Sequence, residues 1–166
     1  RRRHAFDGAC GRPGGGDNPT TGRPGRCATM DAMDADDVIA RLGLSPHPEG
    51  GHYAETWRGP AGADGRAVGT AIVFLLRAGE RSHWHRVDAV EIWHYHAGAP
   101  LRLDIADGNK RESIVVGPDL SVGERPQGIV PMHAWQAAES LGDWTLVGCT
   151  VAPGFEFSGF ELAPQG

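Results

Sequence analysis

"SHWHRVDAVEIWHYHAG", residues 82–98, holds four of the eight histidines in the chain, together with one glutamate and two tryptophans. Read as two strands, it alternates with a period of two. His83 and His85 then share a side, with their Cα atoms about 6.6–6.8 Å apart, a span one metal ion can bridge. The second strand puts Glu91, Trp93 and Tyr95 on one face and Ile92, His94 and His96 on the other. If Glu91 faces inward, His94 and His96 lie on the outer face or at a subunit contact. The four histidines thus form two pairs with different surroundings.

Working outward, the same pattern continues. Strands are expected at 52–57, 68–77, 82–86, 90–96, 100–106, 111–116, 127–131, 133–138, 144–151 and 154–162, divided mostly by Gly, Pro, Asn or Asp. Only one short helix is expected, capped by Asp34 or Asp36, with Val38, Ile39 and Leu42 on one face and Gly43 closing it. Many short strands and little helical period mean an all-β antiparallel sandwich or barrel. No solenoid or propeller repeat is present.

The 166 residues suffice for one domain with a single core. Residues 1–29 carry six arginines against Asp7 and Asp17, a balance of +4, which leaves −9 for residues 30–166. That Gly/Pro-rich leading segment has no core of its own and is expected to be a disordered extension, or a misassigned start, since Met30 and Met33 precede the helix. Residues 30–166 are expected to form the single domain. Their acidity argues against a nucleic-acid partner. No apolar run approaches the roughly 18 residues of a membrane span, and no signal-like h-region leads the chain. Cys10, Cys27 and Cys149 have neither disulfide-scaffold nor CxxC spacing, which suits a reducing cytoplasm.

The combination of His83, His85, Glu91 and Gly98 with a later Pro131 turn and Gln136 resembles the two-motif signature of the cupin superfamily. The words "HPEGGHYAET", "HRVDAVEIWHYHAGAPL", "VGPDL", "GERPQGIVP", "WQAA" and "VGCTVAPGFEFSGFEL" resemble, in order and over residues 40–163, a small single-domain group sometimes called the cupin-5 type. The resemblance implies a jelly-roll β-barrel, usually a homodimer, with a pocket inside. Metal-binding cupins have three or four residues between the second His and the Glu, where this chain has five. They also supply a last His ligand where this chain has Gln136, and a Gly where it has His133.

Two chemistries stay open for that pocket. His83, His85, Glu91 and Gln136 offer two imidazoles, a carboxylate and an amide oxygen, a set suited to one divalent transition metal: Mn, Fe, Ni or Zn. Without metal, Glu91 beside His85 is expected to raise the imidazole pKa and fix its tautomer, making an acid–base pair, with Tyr53 returning a proton from the opposite side. Glu55, Trp93, Gln136 and His83 are further ligand-binding candidates.

The expected function is a cupin with a polar small-molecule pocket, an epimerase or isomerase of a sugar-like or oxo-acid metabolite. The alternatives are a non-catalytic metabolite-binding protein and a metal-dependent oxygenase or hydrolase. His47 and Glu49 lie in a turn, where solvent exposure is the ordinary expectation and a place at the pocket mouth the alternative. An ion pair with an arginine is the plain alternative for Glu55. Arg86 is expected in an outer-face salt bridge and Cys149 as a small buried hydrophobe. No nucleophile elbow, phosphate loop or dinucleotide fingerprint occurs.

Overall fold

The computed structural model describes residues 33–164. The expectation for residues 1–29 lies outside them. Helix α1 (Ala35–Leu42) starts where the Asp34 carboxylate accepts from the Asp37 N–H at 2.8 Å, and it ends at Gly43, whose φ of 62° closes the last turn. Asp36 and Asp37 in its first turn and Arg41 in its last complement the helix dipole. Val38 is buried among Leu44, Leu75, Ala97, Trp144 and Leu146, so the helix covers the outside of one sheet. Leu42, in the last turn, is left exposed.

The strands are β1 (Ser45–Pro46), β2 (His52–Arg58), β3 (Thr70–Arg77), β4 (Arg81–Val87), β5 (Val90–Gly98), β6 (Leu101–Asp107), β7 (Lys110–Val116), β8 (Gln127–Val130), β9 (Trp135–Ser140), β10 (Trp144–Ala152) and β11 (Phe160–Leu162). They form two antiparallel sheets, ordered β1-β2-β3-β10-β5-β8 and β11-β4-β9-β6-β7. This is the expected all-β jelly roll with one short helix, its two sheets facing each other without closing into a continuous ring. Phe74, Leu76, Trp93, Leu101, Leu103, Val116 and Val147 fill the space between them. Central β10, "WTLVGCTVA", is buried along nearly all its length because α1 covers the face turned away from that core.

The ladders deviate from the sequence reading in two places that bear on function. In β4, Ser82 pairs with Ala138 and His85 with Gln136, so His83 and Trp84 together oppose one residue of β9. This bulge reverses the parity of the strand. Ser82 and His85 are buried and His83 is exposed, contrary to the expectation that His83 and His85 share a side.

The second deviation is at residues 154–162, expected as one strand, where only Phe160–Leu162 pairs with β4. The preceding backbone is held sideways instead: Gly154 N–H donates to Ala67 O at 2.8 Å and Phe155 N–H to Thr70 Oγ1 at 2.9 Å. A 3-10 turn at Phe157–Gly159 then precedes β11. Among the described residues no helix is long and apolar enough to cross a membrane.

Candidate functional site

The turn 47–51, "HPEGG", is pressed into the interior. His47 N–H donates to Gly51 O at 2.9 Å, Gly50 N–H to His47 O at 3.0 Å, and His83 N–H reaches Glu49 O at 2.8 Å. Gly50 has φ 106° and Gly51 φ 70°, and a Cβ on either would meet backbone, 2.1 Å from Arg81 O and 2.8 Å from Leu75 O respectively. Only glycine supplies both the positive φ and the close approach. The turn therefore seats between β3 and β4 and sends the Glu49 side chain inward, where the residue is only 6% exposed.

There Glu49 meets two imidazoles. Its Oε2 lies 3.4 Å from His85 Nε2 and 3.4 Å from His47 Nδ1, while Ser82 Oγ donates to its Oε1 at 2.9 Å. Hydrogen bonds fix both tautomers. His85 Nδ1–H donates to the His83 carbonyl at 2.8 Å, which leaves Nε2 with the free lone pair. His47 Nδ1 accepts the Glu49 N–H at 3.3 Å, so its proton sits on Nε2.

Glu91 is held from β9: Gln136 Nε2 donates to its Oε2 at 2.5 Å, and Gln136 Oε1 accepts from Trp93 Nε1 at 2.8 Å.

Burial sets the protonation of the group. It raises the Glu49 carboxyl to about 8 against the smaller, opposing hydrogen bond from Ser82. It raises Glu91 as well, with the His85 charge acting the other way. His47 is lowered to about 4, first by burial and then by His85. His85 is also lowered, because its burial outweighs the attraction of Glu91. Glu91 does raise His85, as expected, but the net shift is downward, because in a buried site desolvation disfavours every charged form. At pH 7 the site holds a protonated carboxyl beside a neutral base.

These groups line a cavity of about 500 Å³ whose wall also includes Tyr53, Arg58, Ile72, Cys149 and Phe155. Of the residues singled out in the sequence, His85, Glu91, Tyr53 and Glu55 border it, as do His47, Glu49 and Cys149. His83, Trp93 and Gln136 do not. His83 is turned outward by the bulge. Trp93, expected as a wall, lies one layer back, buried edge-on against Phe74. Gln136 stands between Trp93 and Glu91 with its carbonyl oxygen already accepting a hydrogen bond. The residues expected to ligate a metal therefore do not converge on one point, and among the described residues no group of three His, Cys, Asp or Glu side chains could hold an ion.

Glu55 sits at the mouth, bound by Arg58 through Nε at 3.0 Å and Nη2 at 2.6 Å. Arg86 pairs with Glu161 outside, as expected, and Cys149 is buried, its thiol pushed well up by burial. Outside too, His94 contacts Thr150 Oγ1 at 3.1 Å and Gln127 at 2.8 Å. Ser82 is a functional candidate that the strand pattern missed, and Glu49, expected at the pocket mouth only as the alternative, lies inside; its signal was the Gly pair after it.

The profile of the Cupin_5 family, described as "Cupin superfamily (DUF985)", matches residues 36–163. The chain belongs to this family. Several solved structures are similar to this Cupin_5 chain. A protein from Shewanella oneidensis is 41% identical with a TM-score of 0.75, covering 79% of this chain and 85% of its own. A hypothetical protein from Leishmania major is 33% identical with a TM-score of 0.73, covering 79% and 88%. Oxalate decarboxylase from B. subtilis, at 13% identity and a TM-score of 0.55 over 71% of this chain and 29% of its own, shares the cupin fold alone. A search of curated proteins finds no match.

Proposed function

We propose that this cupin is a metal-independent acid–base enzyme, an isomerase or epimerase that moves a proton next to a carbonyl in a small polar metabolite. The observation that carries the reading is His85 on the cavity wall, its Nδ1 taken up by the His83 carbonyl and its Nε2, left as the base, 3.4 Å from the Glu49 carboxyl. In this scheme Nε2 takes the proton from the carbon beside the carbonyl. The C–H electron pair moves to form the C=C bond, and the carbonyl oxygen takes the Glu49 proton, giving a neutral enol. Glu91 supports the imidazolium so formed by its charge, since the two act on each other electrostatically. Delivery of the Tyr53 proton to the opposite face of the same carbon, with the enol hydroxyl proton returning to Glu49 and the His85 proton lost to solvent as Tyr53 regains one, inverts it. In a 2-hydroxy carbonyl ligand, delivery of the His85 proton to the former carbonyl carbon, with the other enediol hydroxyl giving its proton to Glu49, isomerises it.

Positioned acid and base groups of this kind contribute about 10²–10⁴-fold to rate. The test is proton exchange in D₂O with dihydroxyacetone, glyceraldehyde and small 2-oxo acids as probes, followed by NMR. Deuterium should enter beside the carbonyl of at least one probe, and His85→Gln should slow this by about 100-fold or more. Saturable binding with no exchange above buffer would favour the non-catalytic binding protein instead.

A further inference from the structure

The mouth of the cavity carries a pair of aromatic rings that the acid–base scheme does not use. Phe155 and Phe157 line it. The two meet edge-to-face with ring centres 5.1 Å apart, and Phe160 backs Phe157 at 6.1 Å. Phe157 is 58% exposed, a large ring held in water. Burial in a core does not explain its position.

The segment bearing it is anchored at its base. Besides the backbone ties of Gly154 and Phe155, Arg66 donates to Gly154 O and forks onto the Asp88 carboxylate at 3.0 and 2.7 Å. A preanchored ring loses little freedom when a ligand arrives.

Acidic side chains outnumber basic ones around these rings. Four carboxyl groups line the cavity, Glu49 in its protonated form, Glu55, Glu91 and Glu156, against one arginine, Arg58. Both oxygens of Glu55 already occupy that guanidinium. An anionic ligand would face three further carboxyl groups with no unengaged cation among the described lining residues. A cation would find aromatic rings and carboxyl oxygens together, the combination that stabilises ammonium groups out of water.

We propose that the ligand of this cavity carries a cationic head, an ammonium or similar onium group, seated against Phe155 and Phe157 at the mouth, with its reactive end toward His85, Glu49 and Tyr53. This deepens the acid–base reading by naming the ligand class, and it rests on that reading only in taking the cavity as the ligand site.

The test compares choline with its uncharged isostere 3,3-dimethylbutan-1-ol and the anion 3,3-dimethylbutanoate, by calorimetry on the full chain at pH 7. Choline should bind about 10-fold more tightly than the alcohol, and the anion most weakly. Phe157→Leu should weaken choline about fivefold while leaving the alcohol unchanged, and Phe157→Trp should retain choline binding. Because Phe157 is exposed, both variants should keep the wild-type melting temperature, which checks their folding. Equal affinity for choline and the alcohol, preference for the anion, or no binding of choline overturns the proposal. Proton exchange at His85 with carbonyl probes is read separately, so either idea can fail while the other stands.

Discussion

Two regions of the interior are built from the same strands and obey opposite rules. Along β5 the inward row runs from Glu91 to Trp93, and along β10 from Val151 and Cys149 to Val147. One part of each row borders the cavity and the rest enters the core. In the core, Leu101, Leu103, Val116 and Val147 are wholly removed from water, and the polar handle of Trp93 is satisfied by Gln136. In the cavity, Glu49, His85 and Glu91 are buried too, yet among the described residues none of them forms an ion pair or hydrogen bond with a lysine or arginine. A region built only for stability would exchange those groups for apolar ones. Keeping three titratable side chains buried without a cationic partner costs stability, which is the mark of a site kept for its chemistry.

The largest expected effect separates the two regions directly. Leu103→Ala should lower unfolding free energy by about 3 kcal/mol in chemical denaturation, because it leaves a void in a packed core. Glu49→Leu should be neutral or stabilising at pH 8, since it removes a buried group that then bears charge. An equal loss in both would erase the distinction.

Next in size is Trp93→Phe, which leaves the Gln136 carbonyl oxygen without its donor. A loss of about 2 kcal/mol is expected, together with looser placement of Glu91.

The pH dependence sharpens the comparison further. Between pH 6.5 and 8 native Glu49 keeps a proton that the unfolded chain, with its ordinary value of 4.5, has released. Stability must therefore fall as pH rises through that window, by up to about 1.4 kcal/mol per pH unit, and level off above it. His47 acts oppositely: native at about 4 against 6.5 unfolded, it contributes stability that is present above 6.5 and lost as pH falls toward 4. From about 4.5 to 6.5 the two oppose each other. Glu49→Gln should flatten the decline seen above pH 6.5 in thermal unfolding scans.

The smallest effect belongs to His83→Gln, which should change stability by less than about 0.5 kcal/mol and leave proton exchange intact, because that imidazole faces away from the cavity.

Most of the fold was legible because period-two alternation and turn residues are local properties. The strand positions, the Asp34 and Gly43 caps and the outward course of His94 all follow from them. The inward face of β5 was legible for the same reason. The bulge at His83 and Trp84 was not: a two-against-one pairing depends on the partner strand and leaves no trace in alternation. Glu49 was hidden differently. Its strand neighbours are absent, and only the fit of Gly50 and Gly51 against the carbonyls of Arg81 and Leu75 turns an apparently surface carboxylate inward. The lowered pKa of His85 likewise depends on burial, a quantity no spacing rule contains.

The most direct test of the central claim is the carboxyl ¹³C shift of Glu49, followed by NMR from pH 4 to 10 with Glu49→Gln as the assignment control. A neutral acid poised beside His85 predicts a midpoint near 8. A midpoint in the ordinary carboxylate range, near 4.5, would mean that Glu49 is ionised at neutral pH and would contradict the account.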